Sequence, residues 1–221
     1  MSTVVITGAN RGIGLEYCKQ FLKRGDSVIA LCRDSSKELS ALGCRIEEGI
    51  DVSIDACVTN IIERLSDISK IDVLVNNAGL LTDETIEDLD YDAIRKQFEI
   101  NTLGPLRVTD ALKDKLGAGS KIVMMTSRMG SVTDNTSGSR YGYRISKAAL
   151  NIASVSLSHD LKSQGVAVAI LHPGYVRTEM TGMGGLINPE ESVHGLMQVI
   201  DALTLENSGT FWHSNGEVLP W

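Results

Sequence analysis

Two rhythms of apolar residues alternate along the chain. Short β-branched runs at Val4–Thr7, Ser27–Cys32, Arg45–Glu48, Asp72–Asn76, Lys121–Thr126 and Val166–Leu171 read as buried strands. Between them lie longer stretches with apolar positions at near-helical spacing, as over residues 145–161, where Ile145, Ala149, Ile152, Leu157 and Leu161 share a face. Gly25 and Gly165 follow such stretches, where a left-handed residue closes a helix without a Cβ clash. Asn188-Pro189-Glu190 reads as an N-cap, a first-turn proline and an acid at the positive helix end. Residues 131–140 are polar and predict a loop. Strand–helix alternation from end to end predicts one α/β domain over residues 1–221: a Rossmann fold, with a doubly wound parallel sheet and helices on both faces. Such sheets bind ligands at the carboxyl ends of their strands.

Composition narrows the partners. The apolar share of 43% and charged share of 22% are those of a globular chain. A net charge of −7 argues against a nucleic-acid partner, which needs a basic face. Cys18, Cys32, Cys44 and Cys57 lack CxxC spacing, and the histidines form no HxxxH pair, so no metal is expected. The run Val4–Ile6 is too short for a signal peptide, no stretch approaches a membrane span, and the Asn135-Thr136-Ser137 sequon reads as chance. A cytoplasmic protein without a membrane partner is the expectation.

Chemistry first appears at Thr7-Gly8-Ala9-Asn10-Arg11-Gly12-Ile13-Gly14, between the first strand and the first helix. Gly8 suits a tight turn, Gly12 admits a pyrophosphate to the backbone, and Gly14 lets helix and strand pack closely. The helix start then offers free N–H groups and a positive dipole end to phosphate. At the end of the second strand an acid would bind a ribose 2′-hydroxyl and arginine a 2′-phosphate. Cys32-Arg33-Asp34 stands there, and Arg11 can converge on the same place, so NADP(H) is the expected cofactor.

Further along come Asp51-Val52, Asn76-Asn77-Ala78-Gly79, Asn101, Ser127, Tyr143-x-x-x-Lys147 and Pro173-Gly174-x-x-x-Thr178, each beside its expected element. With the glycine loop, this ordered set resembles the short-chain dehydrogenase/reductase family over essentially the whole chain. The run Tyr143–Asn151 (YRISKAALN) and the terminal Leu219-Pro220-Trp221 resemble its carbonyl-reductase branch, which includes Sniffer and bacterial C-factor proteins.

Tyr143 and Lys147 share a helix face, and a nearby ammonium favours the phenolate, lowering a pKa that is ordinarily near ~10. Tyr143 would protonate a carbonyl oxygen, with Ser127 donating to the same oxygen. Ser127 lies 16 residues before Tyr143, more than is common in the family, and leaves Ser131 as a rival. Pro105 brings no N–H to the carbonyl of Asn101, which is free to hold a water; the resemblance implies a relay from that water to Lys147.

The resemblance also implies that Asp51 and Val52 receive the adenine. Asn77, Ala78 and Gly79 would line the ribose and the path to the nicotinamide, which Pro173, Gly174, Val176 and Thr178 would hold, with Tyr143 and Lys147 also touching the cofactor. Asn76 is open to a structural reading, tying strands together. The ten residues Glu179–Asn188 predict a short lid, mobile through Gly182, Gly184 and Gly185 and apolar through Met180, Met183, Leu186 and Ile187.

The reading is an NADPH-dependent oxidoreductase that reduces small or moderately apolar aldehydes and ketones, with a small carbonyl or alcohol partner. The resemblance implies a homodimer or homotetramer. A nucleotide-binding signalling protein of C-factor type with little turnover is the alternative, and an NAD-dependent alcohol dehydrogenase is disfavoured by Arg11 and Arg33.

Overall fold

The computed structural model describes residues 1–221. Strands β1 (Thr3–Thr7), β2 (Ser27–Leu31), β3 (Arg45–Glu47), β4 (Val73–Asn76), β5 (Lys121–Met125), β6 (Ala167–His172) and β7 (Phe211–His213) form one sheet in the order β3-β2-β1-β4-β5-β6-β7. All its pairings are parallel. The helices are α1 (Gly12–Lys23), α2 (Lys37–Ser40), α3 (Ala56–Arg64), α4 (Tyr91–Phe98), α5 (Gly104–Leu112), α6 (Tyr141–Asp160) and α7 (Pro189–Asp201).

Alternate strand residues feed two separate cores, as period-2 geometry requires. Val4, Ile6, Val123 and Met125 face one side, under Tyr17 and Phe21 of α1 and Leu196 and Ile200 of α7. Val5, Ile122 and Met124 face the other, under Ile61 of α3, Val108 and Leu112 of α5, and Leu150 of α6. These two layers are why the strands read as continuous apolar runs.

Strand order reverses between β1 and β4, so the loops leaving their carboxyl ends diverge and open a crevice. A π-helical turn, Glu99–Leu103, joins α4 to α5, with the Gly104 N–H donating to Glu99 C=O.

The structure corrects the sequence reading in four places. No sequence pattern predicts β7: three residues are too few to establish a period, and only pairing with β6 defines it. β6 runs one residue later than expected, to His172. α6 begins at Tyr141, inside a segment whose polar start hides the helix. Asn188 occupies the N-cap position of α7 without a side-chain cap, because its Oδ1 accepts from Arg177 Nη1 at 3.1 Å.

Candidate active site

The glycine loop sets the floor of the crevice. Gly8 is left-handed (φ 64°), and a Cβ there would stand 2.8 Å from Ala78 Cα; one on Gly14 would overlap the Gly8 carbonyl oxygen. The strand end, loop and helix start therefore pack backbone on backbone. Thr7 and Asn77 lock this contact. Thr7 Oγ1 accepts the Asn77 and Ala78 N–H groups at 3.0 and 3.1 Å, and Asn77 Nδ2 donates to the Thr7 and Gly8 carbonyls at 3.0 and 3.2 Å. α1 starts with no acid in its first turn and no side-chain cap, leaving its first N–H groups toward the crevice.

The cleft has a volume of about 440 Å³ and runs from Asp34 to Tyr143. Gly8, Asn10, Arg11, Gly12, Ile13, Arg33, Asp51, Val52, Asn77, Ala78, Gly79, Tyr143, Lys147, Pro173 and Thr178 line it. Gly14, Asn101, Ser127, Gly174 and Val176 stand outside that lining, and Asn101 and Val176 are buried. Sequence reasoning missed Ile50, Lys96, Ile100 and Thr126, which also line it, as does Met180 of the expected lid. Apolar wall residues belong to no short motif, and Lys96 is one exposed lysine on a polar helix.

At the nucleotide end, Arg33 is exposed and in no ion pair, whereas Arg11 Nη1 faces Glu179 Oε2 at 3.3 Å. The Arg11–Glu179 pair is exposed, and Arg11 and Arg33 both line the cleft. Asp51 accepts from Ser53 N and Oγ at 2.9 and 2.7 Å. Burial pushes its carboxyl up, but these donors and the Arg33 and Lys96 charges outweigh burial and hold it below the usual range.

At the other end, Lys147 is buried and its Nζ donates to the Met125 carbonyl at 2.8 Å. Burial lowers its pKa to about 7. Burial also raises the Tyr143 phenol, to about 12, against the pull of the Ser127 hydroxyl and the Arg140 charge. The expected lowering of Tyr143 by an ammonium is therefore reversed: desolvation outweighs a cation whose Nζ is 5.7 Å from the ring centroid and itself tends to neutrality.

Ser127 follows β5 by two residues and caps a 3-10 turn, its Oγ accepting from Met129 N at 3.1 Å, which leaves its hydroxyl proton free to donate. Ser131 Oγ is spent on Asp134 N, and its side chain is buried outside the cleft lining. Asn101 uses its side chain structurally: Nδ2 donates to Leu80 O at 2.8 Å and to Ser146 Oγ at 3.0 Å, while Oδ1 accepts from Leu80 N at 2.8 Å. Only its backbone carbonyl is left for chemistry. Asn76 proves structural, donating to Thr109 Oγ1 and Met124 Sδ inside the core.

The lid departs from expectation. Two of its glycines serve contact, since a Cβ on Gly184 would stand 2.6 Å from Tyr175 Oη and one on Gly185 2.5 Å from Arg177 N, whereas Gly182 is left-handed (φ 59°) with open space around it. Thr181 Oγ1 lies 2.8, 3.0 and 2.7 Å from the Val176, Thr178 and Gly184 carbonyls, and its one proton donates to one of the three, pinning the turn. Met180, Met183 and Leu186 remain exposed and apolar.

Residues 2–184 match the family model described as short chain dehydrogenase. The chain is 45% identical over its full length, and the relative's, to 1-hydroxy-2-glutathionyl-2-methyl-3-butene dehydrogenase of Rhodococcus sp. (strain AD45). It is 46% identical to C-signal of Myxococcus xanthus over 68% of this chain and 93% of that protein. Among solved structures it is similar to carbonyl reductase Sniffer of D. melanogaster, at TM-score 0.94 and 30% identity, covering 100% of both chains. NADPH-bound carbonyl reductase from chicken fatty liver gives TM-score 0.88 and 29% identity, over 100% of this chain and 99% of that one. No helix is long and apolar enough to cross a membrane.

Proposed function

The chain belongs to the short-chain dehydrogenase family, and from that premise we propose that this oxidoreductase is an NADPH-dependent carbonyl reductase in which Tyr143 donates the proton. The observation that carries the reading is convergence: the glycine loop, the free cation of Arg33 and the Tyr143/Lys147 pair lie along one cleft. The residues fit a dinucleotide phosphate. The left-handed Gly8 and Gly12 and the uncapped start of α1 suit the pyrophosphate, and Arg33 suits a 2′-phosphate. NADPH bound to the chicken carbonyl reductase supports the same choice. When bound, the nicotinamide supplies hydride to the carbonyl carbon.

The protein's own part is proton handling. With its pKa raised, Tyr143 keeps its proton across neutral pH, the state a donor to a carbonyl oxygen needs. The Ser127 hydroxyl donates to the same oxygen and stabilises charge developing on it. Lys147, poised near neutrality, takes up or releases a proton easily and returns one to Tyr143, and a water that would be held by the Asn101 carbonyl, to which Pro105 brings no N–H, would resupply it. The exposed methionines and leucine of the lid suit moderately apolar substrates.

The identity to C-signal favours a second reading, nucleotide binding with little turnover. Against it stands the presence of Asn101, Ser127, Tyr143 and Lys147 together, a set that binding alone does not need. The deciding assay follows nicotinamide absorbance with NADPH and NADH against diketones, quinones, aldehydes and the hydroxylated glutathione conjugate that names the Rhodococcus relative. Turnover with NADPH preferred is expected; no turnover on any member leaves the binding reading standing.

Arg33→Ala tests the cofactor separately. A charge-assisted hydrogen bond is worth roughly 1.5–3 kcal/mol, so NADPH affinity should fall by about one to two orders of magnitude. NADH affinity should hold. Equal loss of both cofactors, read as dissociation constants, would sink the assignment.

A further inference from the structure

The helix that carries Tyr143 and Lys147 begins without a cap of its own. Arg140, at its N-cap position, is left-handed (φ 53°, ψ 47°) and offers no acceptor to the first turn. Gly138 and Ser139 before it are also left-handed (φ 65° and 54°). Non-glycine residues resist this region because Cβ crowds the carbonyl, so contacts from elsewhere must hold the turn.

Those contacts come from the loop between β4 and α4. Glu84 is 3% exposed, and its carboxylate accepts from the Gly142 N–H at 3.2 Å, from Gln97 Nε2 at 2.8 Å and from the Thr82 hydroxyl. Its backbone carbonyl accepts the Arg140 N–H at 2.7 Å, and neighbouring Asp83 pairs with the Arg140 guanidinium. Gln97, fully buried, closes the set by accepting the Thr82 N–H on Oε1 at 3.1 Å. The seat is tight: a Cβ on Gly142 would overlap Gln97 Nε2 and stand 3.0 Å from Ile94 Cα. The carboxylate sits in no ion pair, and the positive end of α6 supplies its countercharge.

We propose that Glu84 is a positioning residue of the active site, capping α6 from another element and so fixing where its first turn places Tyr143 relative to Ser127. This rests on the reading of Tyr143 as proton donor. Glu84 touches no reacting atom; it acts through Gly142, one residue before Tyr143.

Glu84→Gln keeps the volume but replaces one acceptor oxygen by a donor, so the side chain can no longer serve Gly142, Gln97 and Thr82 together. At saturating cofactor and substrate, kcat should fall about tenfold to a hundredfold, as small misplacements of reacting groups do. The KM for nucleotide should stay within about threefold, because the glycine loop is untouched. The double variant Glu84→Gln/Gln97→Glu exchanges the two groups. The carboxylate, now carried by α4, accepts from Thr82 N and from the amide that has taken its place in the loop. That frees the amide oxygen for the Gly142 N–H, and most of the lost kcat should return. A kcat within about twofold of wild type in Glu84→Gln overturns the proposal, and so does a folded double variant with no recovery.

Should Glu84→Gln fail to fold, hydrogen exchange on the wild-type protein decides. The Gly142 amide has no i−4 acceptor, yet should exchange at least about tenfold more slowly than Ile13 in the uncapped first turn of α1. An unprotected Gly142 amide overturns the proposal. That readout needs no turnover, so an active Tyr143→Phe variant would overturn the catalytic reading alone.

Discussion

At the scale of single residues, burial sets the chemistry of the site. Lys147 is brought from an ordinary 10.5 to about 7. At about 1.36 kcal/mol per tenfold change in proton affinity, holding the ammonium inside costs on the order of 5 kcal/mol when it is charged. The group binds fewer protons folded than unfolded between those values, so its cost is full below pH 7 and fades as pH rises toward 10.5. Lys147→Met should therefore unfold at higher temperature than wild type below pH 7, offset in part by the orphaned Met125 carbonyl at about 1–3 kcal/mol. The advantage should shrink with rising pH while turnover is lost at every pH; a melting difference that is flat in pH refutes it. Tyr143→Phe removes only the hydroxyl. General-acid catalysis is worth about a hundredfold to ten-thousandfold, so kcat should drop by that much with nucleotide affinity within a few-fold. Residual turnover above a tenth of wild type would remove Tyr143 from the mechanism.

At the scale of elements, the join of α4 to α5 carries the strongest expectation. The π-helical turn Glu99–Leu103 and Pro105 together leave the Asn101 carbonyl without its i+4 donor, while the Asn101 side chain clamps Leu80 and Ser146. Pro105→Ala restores an N–H there. The helix should form at least as well, by melting temperature, and kcat should fall about tenfold or more as the carbonyl is no longer free to hold the relay water. Unchanged turnover would show that no water held at this carbonyl serves the relay.

At the scale of the whole molecule, a net charge of −7 coexists with a local cation at the nucleotide end of the cleft. A ligand that binds only the folded state adds about 2.7 kcal/mol at a hundred times its dissociation constant. For a domain of this size that is roughly 5–10 °C in melting temperature. NADPH should deliver a shift of this order, and NADH a smaller one at equal concentration. The NADPH shift should shrink with added salt, because exposed Arg33 is screened. Equal shifts from both nucleotides would place no 2′-phosphate contact on this chain.

What the sequence determined by itself follows from local physics. Period-2 and helical spacing report burial within one element, so the doubly wound sheet was legible, as were Gly8 and Gly14 from their spacing in the first turn, while the contact of Gly8 with Ala78 exists only in the fold. Tyr143 and Lys147 on one helix face were legible for the same reason. Tertiary structure decided what depends on surroundings. Desolvation raised Tyr143 where a charge argument lowered it, and folding set Glu179 opposite Arg11 as an exposed partner. Contacts from Tyr175, Arg177 and Thr181 packed Gly184 and Gly185 into a turn, and pairing with β6 made three residues a seventh strand. Glu84 belongs here too: an isolated acid in a loop carries no sequence signal, and only packing α4 against α6 places its carboxylate at the start of the helix that bears Tyr143. Each depends on groups far apart in the chain, whose distances and shared dielectric exist only once the sheet has closed.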